Sequence, residues 1–397
     1  MFGISQSMEQ IQKDYPFLIL EKNDITFPGD SAAFGHVFHK LDSLIFFGKG
    51  QVNILHIGGS HVQAGVLSNR MRNNMLSLSP DIKNERGFFF PYRLAQTNNP
   101  SNYKVIATAD WEGQRCSVSY MNSEWGMSGV TATTKNPFSD VTIYATDDTT
   151  LYSFKKVRIY HVLDEASYKI KINKAHAVNH TFTDSVAGYT EFHFTDVQDT
   201  LMFSVVKTDS IQSYFTIQGV QFITDKPSLI YHSIGVNGAS TKSYLRCEQF
   251  GPQLTALQPD LVIFGIGIND AYMTADRFNP IDFEARYQKL MDMFSAANPK
   301  CAFLFLTNND SYYKRRMPNP NVYKVSTSMR KLCIKNGAAL WDLFEIMGGY
   351  NSIKTWENYK IAKSDKIHFT KEGYELQADI MFDAFMRSYG NYIKNRY

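Results

Sequence analysis

The rhythm of hydrophobic and polar positions changes twice along the chain. Up to about residue 97, and again after Pro227, compact apolar runs alternate with stretches of helical period; between them the period shortens to two. Phe17-Leu18-Ile19-Leu20 is apolar and predicts a short strand. Phe34, Val37, Leu41 and Leu44 then recur at helical spacing behind a candidate cap at Asp30 or Ser31. Val52-Asn53-Ile54-Leu55-His56-Ile57 is a run of buried-strand type closed by Gly58-Gly59, and Val62, Val66, Leu67, Met71, Met75 and Leu76 mark one side of a following helix.

From about Asn98 to Asp225 long helical patterns vanish. Short runs rich in Val, Ile, Thr, Tyr and Phe take over, such as Val157-Arg158-Ile159-Tyr160, Tyr168-Lys169-Ile170-Lys171-Ile172 and Thr190-Glu191-Phe192-His193-Phe194, with turn residues between them. Strict alternation predicts half-buried antiparallel strands, hence a β-sandwich. After Pro227, apolar runs at Leu229-Ile230-Tyr231, Leu261-Val262-Ile263-Phe264, Ala302-Phe303-Leu304-Phe305-Leu306 and Ala339-Leu340-Trp341 alternate with amphipathic stretches near 242–257, 283–297, 320–335 and 371–388. Strand–helix alternation predicts an α/β fold with a doubly wound parallel sheet, its first βα unit split from the rest by an inserted all-β sandwich. The expected division is an N-terminal strand and helix over 1–48, a catalytic domain over 49–97 and 227–397, and the insert over 98–226.

Composition narrows the classes. With 41 basic and 38 acidic side chains the net charge is +3, too small for an electrostatic nucleic-acid binder. No apolar run approaches the length of a membrane span. Met1 to Tyr15 is polar and lacks the basic and apolar regions of a secretory signal. Cys116, Cys247, Cys301 and Cys333 show no paired spacing, so neither a zinc knuckle nor a dense disulfide framework is signalled; Cys301 and Cys333 read as core thiols.

In open α/β sheets reactive groups collect at the carboxyl ends of the strands. The four segments there, or just before the last helix, are Gly58-Gly59-Ser60-His61, Gly235-Val236-Asn237-Gly238-Ala239-Ser240, Gly265-Ile266-Gly267-Ile268-Asn269-Asp270 and Asp365-Lys366-Ile367-His368-Phe369. Singly each also fits a structural role: Ser60 as a helix cap, Gly238 as a turn glycine, Asn269-Asp270 as loop chemistry. Their joint order and placement, each at a predicted strand end or before the last helix, is much harder to obtain by accident.

This constellation resembles the SGNH (GDSL-like) hydrolase superfamily, a flavodoxin-like fold named for Ser, Gly, Asn and His in four blocks. Ser60 matches the first block, Gly238 the second, Gly267-x-Asn269-Asp270 the third and Asp365-x-x-His368 the last, over roughly residues 50–97 and 228–390. The resemblance implies Ser60 as nucleophile, His368 as base and Asp365 as acid, with an oxyanion met by the Ser60 N–H, the Gly238 N–H and the Asn269 amide. Such chemistry requires no metal or organic cofactor. Gly59 departs from the usual Gly-Asp-Ser, which removes a supporting hydrogen bond and predicts a more flexible turn.

A subset of the superfamily, the bacterial peptidoglycan O-acetylesterases, carries a β-sandwich like a carbohydrate-binding module after the first block. Landmarks resembling it are His56-Ile57-Gly58-x-Ser60-His61 with Gln63-Ala64, Arg86-Gly87-Phe88, Phe90-Pro91-Tyr92, Met347-Gly348-Gly349, Ser352-Ile353, Trp356 and His368-Phe369-Thr370-x-x-Gly373-Tyr374. They imply a carbohydrate O-acetylesterase acting on an acetylated glycan in the bacterial periplasm or at the cell surface, with a signal trimmed from this chain. The alternatives are a lipid or thioester acylhydrolase, or a non-catalytic glycan-binding protein on a degenerate scaffold. His61 fits either a pocket-lining or a packing role. Lys314-Arg315-Arg316 beside Tyr312 and Tyr313 fits either an anionic-glycan contact or a solvated loop. Trp111, Trp125 and Tyr120 fit either sugar stacking or core packing.

Overall fold

The computed structural model describes residues 7–79, 83–146, 153–173 and 178–396. Its central sheet has seven strands: β1 (Ile25–Thr26), β2 (Gln51–Gly58), β3 (Lys83–Glu85), β4 (Ser228–Gly235), β5 (Leu261–Gly265), β6 (Ala302–Leu306) and β7 (Ala339–Trp341). Their order is β1-β7-β6-β5-β2-β4-β3, parallel throughout except for β1 against β7. Without the edge strands β1 and β3, the order β4-β2-β5-β6-β7 is the flavodoxin-like 2-1-3-4-5, whose switch point falls between β2 and β5. That crevice is where a doubly wound sheet places ligands.

Alternation along the strands divides the interior in two. Ile54, Tyr231, Ile263 and Leu304 face one core, shared with helices Ala32–Phe47, Val66–Leu76 and Lys371–Arg396. Leu55, Ile57, Ile234 and Phe264 face the other, shared with helices Phe250–Leu257, Pro280–Ala297 and Val322–Asn336. The second core runs without interruption into the insert, which supplies Tyr103, Trp125, Ile159 and Phe222 to it.

The insert is built of two antiparallel sheets. One has the order Lys169–Ile172, Thr200–Val206, Phe138–Ala145, Tyr103–Ala107. The other has the order Val178–Asp184, Tyr189–Gln198, Phe154–His161, Phe215–Ile223, Val130–Thr134, Glu112–Arg115. Phe88–Phe89, ahead of residue 98, also pairs with Phe215–Ile223, so the sandwich borrows a strand from the segment that leads into it.

Two local expectations are corrected. Phe17–Leu20 is not a strand: it forms a turn running into a 3-10 helix at Leu20–Lys22, and the strand of this region is Ile25–Thr26. The run is apolar because it plugs the core, with Leu18 buried and the Phe17 ring against Trp356 and Tyr359, while Pro16 removes a ladder donor. The helix after β2 is also not continuous. Gly65, with φ +75°, separates Ser60–Gln63 from Val66–Leu76, and Pro100 lies so close over it that a Cβ there would come within 2.6 Å.

Candidate active site

Gly235, Gly58 and Gly265 end β4, β2 and β5 and stand side by side in register. They form a floor without side chains, and the short helix Ser60–Gln63 rests on it. A Cβ on Gly235 would lie 2.1 Å from the Gln63 backbone nitrogen, and one on Gly58 would lie 2.3 Å from Val62 Cγ2. Tyr244 and Tyr92 clamp the floor by donating hydroxyl hydrogen bonds to the Gly58 and Gly235 carbonyls at 2.7 and 2.6 Å. Ser60 therefore sits on a fixed turn at the sheet's switch point.

The last loop meets it there. Ser60 Oγ lies 2.8 Å from His368 Nε2, and His368 Nδ1 lies 2.8 Å from Asp365 Oδ2. The other Asp365 oxygen accepts the backbone N–H groups of Ile367 and His368, both at 2.9 Å, so the carboxylate folds its own loop around the imidazole. Burial raises the Asp365 carboxyl, but the His368 ring and these two N–H donors together outweigh it and hold the group well below the usual carboxylate range. An ionised Asp365 fixes the His368 tautomer, with hydrogen on Nδ1 and a lone pair on Nε2 toward Ser60. Asn309 Nδ2 and the Tyr312 N–H donate to the Ile367 and Lys366 carbonyls at 3.1 and 2.9 Å and brace the loop from behind.

Gly238 and Asn269 line the same cleft as Ser60 and His368. Gly238 has φ +80°, a conformation that suits glycine. Asn269 Nδ2 donates one hydrogen to the Ala239 carbonyl at 2.9 Å, and an amide nitrogen has a second to offer. The two loops are tied together by residues that motif matching left without a role. Asp270 accepts from Thr241 Oγ1 at 2.6 Å and from its N–H at 3.0 Å. Gln63 accepts the Asn237 N–H at 2.6 Å and donates to the Asn98 carbonyl at 2.9 Å. Both residues stand in the quoted motifs; only their partners, far away in sequence, reveal what they hold. Gly59 lies against Asn269, whose Nδ2 would be 3.1 Å from a Cβ at that position. In the absence of an Asp side chain there, the amide is held by Ala239.

The cleft encloses about 450 Å³ and is walled further by Asn98, Tyr272, Lys363 and Tyr374. The insert reaches its rim, where Ser117 Oγ donates to the Asn237 carbonyl at 2.7 Å. Opposite, the hairpin Tyr312–Tyr313/Met317–Pro318 hooks onto Tyr272: the Lys314 N–H donates to its hydroxyl at 3.0 Å, and the Tyr313 ring stands 5.1 Å from its ring. This places Lys314-Arg315-Arg316 beside the cleft. Trp111 and Trp125 are buried, with their indole N–H groups donated to Ser139 Oγ and the Gln114 carbonyl, whereas Tyr120 is 85% exposed. The four cysteines are free and buried.

Residues 219–376 match the GDSL-like Lipase/Acylhydrolase family. A solved peptidoglycan O-acetylesterase superposes with a TM-score of 0.77 at 18% identity, over 92% of this chain and 99% of that one. An acetyl xylan esterase gives a TM-score of 0.32 at 25% identity, over 40% and 80% of the two chains. A lipase/acylhydrolase from Enterococcus faecalis gives 0.30 at 19% identity, over 39% and 74%. No curated protein matches the chain in sequence. The first of these structures shares the fold of nearly the whole molecule, insert included.

Proposed function

We propose that this chain, which carries a GDSL-like lipase/acylhydrolase domain on the SGNH hydrolase fold, is a serine esterase that removes O-acetyl groups from a carbohydrate. Its proposed substrate is bacterial peptidoglycan or another cell-wall polysaccharide, met in the periplasm or at the cell surface. The observation that carries the reading is the hydrogen-bonded series Ser60–His368–Asp365 opening into the cleft beside Gly238 and Asn269. The peptidoglycan O-acetylesterase that shares the fold through the insert supports the choice of substrate.

In this reading His368 Nε2 takes the proton from Ser60 as Oγ attacks the acetyl carbonyl carbon. The Asp365 carboxylate balances the imidazolium that forms. The negative charge on the former carbonyl oxygen is met by the Ser60 and Gly238 N–H groups and the Asn269 amide, each worth about 3–4 kcal/mol in the transition state. His368 returns the proton to the sugar oxygen as its bond to the acetyl carbon breaks, freeing the sugar hydroxyl and leaving an acetyl ester on Ser60. Water, deprotonated by the same histidine, releases acetate and restores the serine.

The test is acetate release from O-acetylated peptidoglycan and from acetylated xylan, by intact protein and by Ser60→Ala. Release that falls by about 10³-fold or more in the variant is expected, with peptidoglycan the better polymer. Equal release by the variant would remove Ser60 from the reaction. Absence of release from either polymer and from an aryl acetate would sink the esterase reading in favour of a glycan-binding scaffold.

A further inference from the structure

Against the face of the His368 ring lies a second imidazole. The rings of His61 and His368 are stacked, 5.1 Å between centroids and 29° between planes. His61 is pinned on three sides: Phe369 and Tyr374 pack against its ring, and Nδ1 lies 3.0 Å from the Tyr374 hydroxyl. The other ring nitrogen, Nε2, is shielded from solvent and has no hydrogen-bond partner among the described residues. It borders a cavity of about 50 Å³ beneath the nucleophile turn, also bordered by Asn308 and Gln377, whose Nδ2 and Nε2 are likewise unpartnered.

We infer that His61 is a positioning residue for the proposed reaction: its ring stays neutral and supports, through its π face, the imidazolium that forms on His368. The inference rests on the Ser60–His368–Asp365 reading. An aromatic face attracts a cation placed over it, and the face is useful only if it does not itself take up the proton. Burial, and then the charge of His368, push the His61 pKa down to about 3, so it remains neutral wherever an esterase of this kind works. Asp365 and Lys363 are the other charged groups acting on the pair, and Tyr374 and Tyr272 its titratable neighbours in the cleft. All four are kept in the variants below.

Two substitutions separate the π face from simple packing. His61→Leu removes the face. His61→Phe keeps it and loses both ring nitrogens, beside an adjoining cavity of about 50 Å³. We expect His61→Leu to lower kcat for acetyl ester hydrolysis by about ten-fold with KM unchanged, and His61→Phe to stay near wild type. A readout independent of turnover is the titration of the His368 ring in protein carrying ¹³C-labelled histidine, the resonance identified by its loss in His368→Gln. Its midpoint is expected to fall by about half a pH unit in His61→Leu and to stay in place in His61→Phe. Equal losses in both variants, a change in KM alone, or an unmoved midpoint in His61→Leu would each overturn the inference. A midpoint that moves as expected in a protein releasing no acetate would uphold the stacking role and dismiss only the esterase reading.

Discussion

Asp310 follows β6 by four residues and is fully buried. One carboxylate oxygen accepts the Ile353 N–H at 3.0 Å, while the other has no hydrogen-bond partner among the described residues. Burial pushes this carboxyl up to about 6, against backbone donors from Ile353, Asn351 and Ser311 that favour its charge. An acid whose folded pKa lies above its unfolded one binds more protons when folded. Its contribution to stability is therefore lost as pH rises from about 4 to about 6, at a cost of up to ~3 kcal/mol above that window. Asp310→Asn keeps an acceptor for Ile353 and carries no charge. Calorimetry should show a higher Tm for it than for wild type at pH 8 and little difference at pH 4; an equal shift at both values would mean that ionisation is not the cause. Asp365 is the opposite case, a carboxyl held charged by the donors around it. The two differ in partners, which residue type alone does not convey.

At the scale of elements, the strand-end glycines decide where the nucleophile turn can sit. Gly58, Gly235 and Gly265 each look like ordinary turn glycines in sequence; only the register of β4, β2 and β5 makes them one surface. Gly235→Ala would put a methyl 2.1 Å from the Gln63 backbone nitrogen, which cannot give way as a side chain could, and is expected to cost at least ~2 kcal/mol in urea unfolding together with activity. Gly238→Ala is the useful contrast, since nothing lies nearer than 3.8 Å to its Cβ and only the φ of +80° opposes it; its cost should be about 1–2 kcal/mol. Equal costs would show that the floor yields to a methyl. The elements misread in sequence fail for a related reason. Phe17–Leu20 is apolar for a contact with Trp356, and Gly65, where the helix breaks, lies against Pro100, which leaves no room for a Cβ. In both cases the deciding partner is distant in the chain.

At the scale of the molecule, the insert and the α/β domain are joined by more than their two crossings. One hydrophobic core spans Ile57 and Phe264 of the central sheet and Ile159 and Phe222 of the sandwich. Phe88–Phe89 completes a sandwich sheet, and Arg246 donates to the Cys116, Val118 and Met121 carbonyls of the insert. Thermal unfolding is accordingly expected as one transition with equal calorimetric and van't Hoff enthalpies. Two resolved transitions would show that the shared core does not couple the halves.

The sequence by itself determined the period of each segment, and hence the alternation of strand and helix, the antiparallel texture of the insert and the chemistry waiting at the strand ends. These are short-range properties, written within a few residues of one another. The tertiary structure alone decided what faces what: it brings His368 to Ser60 across 308 positions, ties Asp270 to Thr241 and Gln63 to Asn237, and stacks His61 on His368. It also turns Trp111 and Trp125 into the core and leaves Tyr120 outside. Such pairings depend on strand order, register and the packing of side chains from separate segments, and no local pattern of residues encodes them.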